Sequence, residues 1–345
     1  MRLPRLPFLA SRRDPGGWSI VATVRGEPEA VLPFVAHHLQ GDCAAIHLWL
    51  DGAQPALAAL LAPLAPRVRL TTCDDAWWAA RGGRPGTVSG RQIANLAAAR
   101  RDVATEWLIH IDSDEFLIAP DGAPPAPGAE LARLVAGETD WARFPHHERV
   151  LWRGVPQAGL FDGVFRGRIA DPALARRIYG ADAAFLNQGY AGHARGKIAL
   201  RTRSPLLAAI HQAARPGQPY RRTLPEAELP RFAMLASIGM LHFDGWTARH
   251  WVKKLQLREP GGHPGRQRQV RWIAEAESDA ARLALHERLQ CLDPAREAAL
   301  RAAGALRERG FDPAPAIAAA FPGLHLSLSA PEFDRRRAEC AAATG

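Results

Sequence analysis

The stretch Trp107-Leu-Ile-His-Ile-Asp-Ser-Asp-Glu-Phe-Leu117 runs through apolar residues and stops abruptly in Asp112 and Asp114, with Glu115 and Phe116 directly behind. Charge beside a core is costly unless partnered, so carboxylates at the end of a buried strand normally have a cation or a donor next to them. In an extended chain residues i and i+2 face the same way. A strand continuing to Asp114 would therefore aim Asp112 and Asp114 at one site and turn Glu115 away from it. Two oxygen ligands plus water suit a hard divalent ion that also holds a phosphate. The bland reading of the same residues is a solvated Asp-Ser-Asp turn capping the next element.

Outward from this stretch, the first half alternates strands and helices. Trp18–Val24 is a β-rich run that breaks at Arg25-Gly26-Glu27-Pro28, where Pro28 suits the first turn of a helix. Helical spacing follows from Glu29 to Leu39, then a strand from Ala45 to Leu50 ending at Asp51-Gly52. A helix over Gln54 to Leu64 and a strand over Arg67 to Thr72 come next, then a Gly- and Arg-rich loop from Ala79 to Thr87. Ser89 and Gln92 match a capping box that opens a helix through about Ala104. Such alternation predicts a mainly parallel sheet flanked by helices. Ligands of such sheets sit beyond the carboxyl ends of the strands, and Arg25, Asp51, Asp112 and Asp114 all follow strand ends.

The second half is less regular. Asp121 to Gly128 is a Pro-rich connection, Trp141 to Arg203 reads as short strands and loops, and 203–229 is irregular and polar. Residues 233–243 end in His242-Phe243-Asp244, and from Thr247 the chain is predominantly helical, with one amphipathic helix expected over Val270 to Gln290. The expected organisation is an N-terminal arm (1–17), a main domain (18–259) and a helical C-terminal extension (260–345).

The chain has 345 residues, 47% of them hydrophobic, enough for one large domain or two smaller ones. No stretch reaches ~18 unbroken apolar residues, so no membrane span is expected. The basic N-terminus is interrupted by prolines and lacks the continuous apolar stretch of a signal peptide. Cys43, Cys73, Cys291 and Cys340 are scattered, with no metal or disulfide signature, and read as thiols in a reducing cytoplasm. A net charge of +9 permits an anionic partner without choosing among nucleotide phosphates, an anionic membrane and nucleic acid. The basic runs Arg12-Arg13, Arg176-Arg177, Arg221-Arg222, Lys253-Lys254 and Arg335-Arg336-Arg337 form no long basic tail and no nucleic-acid module.

Taken in order, these features resemble GT-A-fold glycosyltransferases, in particular the family 2-like bacterial group with an Asp-x-Asp-Glu-Phe signature. The resemblance covers roughly Ile20 to Leu255. It rests on Arg25-Gly26-Glu27 after the first strand, His37 or His38 at the end of the first helix, and Asp51 after the second strand. Arg91, Gln92 and Asn95 precede the block from Trp107 to Phe116, and Gly196-Lys197-Ile198, His242-Phe243 and Lys253 or Lys254 follow it. Gly26 stands where the group has Asn, Phe243 where it has Tyr, and Thr247 in place of a Ser.

The resemblance implies a GT-A-type (Rossmann-like) α/β fold and a metal-dependent transferase moving sugar from a nucleoside-diphosphate sugar, UDP-sugar favoured, to a glycan or surface-polysaccharide acceptor. Asp112, Asp114 and His242 would hold a divalent metal, Mn2+ or Mg2+, which stabilises the leaving diphosphate. Arg25, Asp51, Arg91, Asp112 and Lys253 would contact the donor. The base that takes the acceptor proton is drawn from Glu148, Glu115 and Asp244, with Glu148 preferred and Asp114 beside the reaction. His146-His147-Glu148 lacks the spacing of a helical zinc motif. The expected location is the cytoplasm, with peripheral contact at the inner face of the membrane through basic residues. Two other readings stand beside this one: a nucleotidyltransferase, and a basic protein binding RNA or anionic lipid with Asp112 and Asp114 merely structural.

Overall fold

The computed structural model describes residues 14–217, 228–258 and 262–344. Most of the expected N-terminal arm and the Arg12-Arg13 and Arg221-Arg222 runs lie outside the described residues. The first half holds β1 (Trp18–Val24), α1 (Pro28–His38), β2 (Ala45–Leu50), α2 (Pro55–Leu61), β3 (Val68–Thr72), α3 (Asp75–Ala79), α4 (Val88–Asp102) and β4 (Trp107–His110). The middle adds β5 (Glu115–Ile118), α5 (Gly128–Leu131), β6 (Trp141–Phe144), β7 (His146–Trp152), β8 (Val164–Arg166), α6 (Pro172–Tyr179), β9 (Lys197–Arg201), β10 (Leu207–Ala208), β11 (Ala213–Ala214), β12 (Ala233–Met234) and β13 (Gly239–His242). The remainder is α7 (Ala248–Gln256), α8 (Pro264–Glu275), α9 (Asp279–Gln290), β14 (Cys291–Leu292), α10 (Pro294–Ala302), β15 (Leu306–Arg307), α11 (Ala314–Ala320) and α12 (Ala330–Thr344).

The expected α/β class and mainly parallel sheet are present. The central sheet has seven strands in the order β12-β6-β9-β4-β1-β2-β3, and β9 alone runs against the rest. β1 and β2 are apolar almost throughout because helices cover both faces. Ile20, Ala22 and Val24 pack on the α1 side with Phe34, Leu48 and Phe116, while Val21 packs on the α4 side with Trp49, Leu96 and Leu108. A second sheet runs β15-β8-β7-β13-β5, and a third core behind it gathers Trp251, Leu255, Ile273 and Leu285.

The chain passes between the two sheets at 111–114, at Pro145, over 167–196 and at 235–238. The signature aspartates occupy the first of these crossings. The strand stops at His110, and a turn closes from Glu115 N–H to the Asp112 carbonyl at 3.0 Å. Strand phase is lost across that turn, so the expected alternation does not hold and Glu115 comes back to the side of Asp112.

Two other local expectations change. Thr87, not Ser89, caps α4, its hydroxyl accepting from Gly90 N–H at 3.0 Å. The helix expected over Val270 to Gln290 is two helices, broken where Ser278 caps α9. The C-terminal helices also share the main core: Ile317, Phe321 and Phe333 are buried in the cluster that contains Phe34 and Phe116.

His37 and His38 close the outer edge of β5. His37 Nε2 donates to the Leu117 carbonyl at 2.6 Å, and His38 Nε2 accepts from Leu117 N–H at 3.0 Å while its Nδ1 donates to Phe34 O at 2.8 Å. An uncovered edge strand would leave these backbone groups unpaired. Burial lowers His37 to about 4, and burial likewise lowers His286 to about 3. The unfolded chain therefore takes protons below its ordinary histidine pKa near 6.5 that the native state refuses. Stability should be full above about pH 6.5 and should fall progressively as pH drops toward 4. A fall of about 10 °C or more in melting temperature between pH 7 and 4.5 is expected by circular dichroism, and a flat profile would contradict it.

Candidate active site at the sheet crossing

Four parallel strands, β1 to β4, end on one edge of the central sheet, and the start of α4 lies across two of those ends. Arg91 Nε donates to Asp51 Oδ2 at 3.0 Å, and the next residue, Gln92, donates from Nε2 to Asp112 Oδ1 at 2.5 Å. One turn on, Asn95 donates to Thr23 Oγ1 at 3.0 Å. Asp51 also pairs with Arg84 at 2.7 Å, so two arginines hold its carboxylate and fasten the Gly- and Arg-rich loop. Arg25 is exposed at the end of β1 and has no ionic partner among the described residues.

Two lysines organise the carboxylates. Lys197 Nζ, fully buried, lies 2.8 Å from Asp112 Oδ2 and 2.9 Å from Glu115 Oε2. Lys254 Nζ lies 2.8 Å from Asp114 Oδ2 and 3.6 Å from Asp244 Oδ1. In each pair the signature aspartate is the more exposed carboxylate: 31% against 2% for Asp112 and Glu115, and 19% against 5% for Asp114 and Asp244. Burial alone would raise Asp112, but Lys197 beside it holds the carboxyl below its usual range. Burial pushes Glu115 up to about 7 against the pull of the same lysine. Glu115 Oε2 also accepts from Asp112 N–H at 2.7 Å, which fixes the turn.

The second sheet supplies the opposite side. Its register places Glu115, His242, Glu148 and Arg166 in one row across β5, β13, β7 and β8. Phe243 N–H donates to the Asp114 carbonyl at 2.9 Å, which brings His242 and Asp244 alongside the crossing. Gly245 turns the chain at φ +101°, and a Cβ there would meet Trp251 Cβ at 2.7 Å, so only glycine fits. Buried Arg149 holds the turn from behind, donating to Gly245 O at 2.5 Å and Leu160 O at 2.8 Å. Gly196 (φ +71°) likewise passes Phe144 O, 2.3 Å from where a Cβ would stand, just before Lys197. His146, His193 and His211 stack nearby, and burial lowers all three well below the usual histidine range.

The structure therefore brings Asp112, Asp114 and His242 to one crossing and ties it through α4 to Asp51 and Arg91. Lys253 lies on the exposed face of α7, and Lys254 is the lysine that reaches the carboxylates. Glu148 stands apart from this opening. It is fully buried, Oε2 is held bidentately by Arg166 and accepts from Ala191 N–H at 2.8 Å, and Oε1 accepts from Gly192 N–H at 2.8 Å. Sequence reasoning assigned no role to Lys197, Gln92 or Arg149. The first two lie inside motifs already noted, but the pairing of Lys197 with Asp112 spans 85 residues.

A divalent metal fits the donor types here but not their arrangement. His242 Nδ1 is buried without a partner, and Asp112 and Asp114 are partly open, yet among the described residues no three His, Cys, Asp or Glu side chains are grouped closely enough to hold a metal ion. Lysines occupy the carboxylates instead. A groove of about 650 Å³ lies elsewhere, between α6 and α10, lined by Leu174, Arg177, Ile178, Asp293, Arg296 and Ala299. No described helix is long and apolar enough to cross a membrane.

No family model and no curated protein matches the chain. Among solved structures it is similar to S. aureus TarS residues 1–349, at 12% identity over 89% of this chain and 81% of that one, with a TM-score of 0.33. It is also similar to glucosyl-3-phosphoglycerate synthase from Mycobacterium tuberculosis in complex with Mn2+, UDP-glucose and phosphoglyceric acid, at 12% identity over 81% of each chain and a TM-score of 0.34. A third is CMP:2-keto-3-deoxy-manno-octonic acid synthetase complexed with CTP, at 15% identity over 54% of this chain and 74% of that one, with a TM-score of 0.27. At identities and TM-scores this low, the function is argued from the site.

Proposed function

We propose that the chain is a glycosyltransferase that moves a sugar from a nucleoside-diphosphate sugar, UDP-sugar favoured, to a glycan or other surface-polysaccharide acceptor. The observation that carries this reading is the division of labour at the crossing. Each lysine bridges a deeply buried carboxylate, Glu115 or Asp244, and a more open one, Asp112 or Asp114, while Asp244 is also paired with buried Arg266 at 2.6 Å. The open carboxylates thus hold lysine charge within reach of solvent, at the strand edge where ligands of parallel sheets bind.

In this reading Asp51, with Arg84 and Arg91, and exposed Arg25 face the nucleoside and its phosphates. Lys254, partly exposed, is the compact positive charge nearest the leaving diphosphate. In the reaction the bond from the anomeric carbon to the diphosphate oxygen breaks, the acceptor oxygen bonds to that carbon, and the acceptor proton goes to a base. Glu148 is a poor base because Arg166 and two amides already occupy its carboxylate oxygens. We infer that it anchors the second sheet instead.

Mn2+ or Mg2+ is the finer part of the proposal. Asp112, Asp114 and His242 are the residues that would hold it, after Lys254 releases Asp114, and the ion would supply charge to the diphosphate. The residues do not fit the ion as arranged, so no step is derived through it. The proposed setting is the cytoplasm, where basic residues would meet the inner face of the membrane.

The test is thermal stability with UDP, GDP and other nucleotides, each with and without manganese. A ligand at ~100 times its dissociation constant should stabilise the protein by roughly 2.7 kcal/mol. A UDP shift that needs manganese and is lost in Asp114→Ala supports the metal, whereas an equal shift without manganese leaves Lys254 as the counter-charge. A shift with RNA or anionic vesicles and none with any nucleotide overturns the proposal.

A further inference from the structure

Of the basic run Arg335-Arg336-Arg337, α12 turns the last two residues onto the rest of the chain. Arg336 pairs with Glu29 at 2.5 Å and Arg337 pairs with Glu27, both at the start of α1, immediately after Arg25-Gly26. Asp334, on the same helix, accepts from Thr247 Oγ1 at 2.6 Å. Thr247 caps α7, accepting from His250 N–H at 3.1 Å, and α7 carries Lys254. Between these contacts Phe333 is 1% exposed in the main core, its ring 5.7 Å from that of His250. One helix at the far end of the chain thus grips the loop after β1 and the start of α7, which face the proposed site from different sheets.

We propose that α12 is a strap across the site and that Asp334 and Arg337 are positioning residues, setting the Arg25–Glu27 loop and the Asp244–Lys254 segment relative to each other. Its consequence for donor binding rests on the glycosyltransferase reading; the mechanical coupling does not. Each polar contact is partly exposed and individually weak, on the order of 0–1 kcal/mol. The strap works because Phe333 is immobilised by burial, so the side chains around it act from a fixed point. Neither Asp334 nor Arg337 touches the carboxylate pairs, so their effect reaches the site only through Glu27 and Thr247.

Amide hydrogen exchange on the full chain without ligand tests the coupling, with UDP affinity measured in parallel. Arg337→Ala should speed exchange at 25–30 and also at 247–254, Asp334→Ala should do the same from the other end, and Arg335→Ala, which loses only the pair with Glu339, should change neither. UDP should bind about fivefold more weakly to the first two variants, and the Glu27→Arg, Arg337→Glu double variant should restore protection and affinity together. Exchange that rises only within α12, rises uniformly along the chain, or rises at one segment without the other overturns the strap. Loosening of both segments with UDP affinity unchanged overturns the positioning role of Asp334 and Arg337 at the donor site. If the wild type binds no nucleotide while the two segments still loosen together, the strap stands and the donor reading falls.

Discussion

Asp112→Ala and Asp114→Ala should each slow sugar transfer by about 10²–10³-fold or more, the scale set by removing a group aimed at developing charge. The native state should stay within about 1–2 kcal/mol of wild type, because Lys197 keeps Glu115 and Lys254, 32% exposed, can turn to water where Asp244 is already paired with Arg266. Few buried lysines tolerate loss of a carboxylate partner, since an unpaired charge is usually the costly outcome. Lys197 already has a second partner in place. Transfer rates and urea unfolding on the same preparations check the pair of expectations. Retained turnover would remove these residues from the chemistry, and collapse of the fold would make them structural.

The second large effect is on stability. Glu148→Ala leaves Arg166, 1% exposed, without its carboxylate in the interior of the second sheet, and leaves Ala191 and Gly192 N–H without their acceptor. Breaking a buried pair from one side costs about 3–5 kcal/mol. Native stability of the usual domain is only ~5–15 kcal/mol, so the variant should unfold at markedly lower urea. A general base behaves the other way: its replacement leaves the fold intact and lowers the rate. An unfolding midpoint equal to wild type with turnover lost would return Glu148 to the base role.

The residues explain which parts of this account could be read in advance. The strands were legible because β1, β2 and β4 are apolar runs bounded by charge or turn residues, and parallel burial leaves that mark on a linear chain. The ends of those strands carried Arg25, Asp51, Asp112 and Asp114, so the edge that holds the site was legible too. What could not be read is whatever depends on partners distant in sequence. Whether Asp112 and Asp114 continue a strand or enter a turn depends on Glu115 N–H finding Asp112 O and on Lys197 arriving from β9. Alternation therefore sent Glu115 to the wrong side. Ser89-x-x-Gln92 matched a cap, but Gln92 reaches Asp112 and Thr87 takes the cap, since a short motif does not reveal what lies opposite its side chains. Lys253 and Lys254 differ by one helical step of about 100°, and only the packing of Trp251 and Leu255 decides which faces the carboxylates.

The most direct measurement is the hydrogen-exchange footprint of UDP on the wild-type chain, with and without manganese. The account predicts protection at the strand-end segments 24–27, 51–54 and 111–115 and at 242–254, and its loss in Asp114→Ala. Protection confined to other surfaces, such as the groove between α6 and α10, or no protection with UDP or any other nucleoside diphosphate, would contradict a donor site at the crossing of the two sheets.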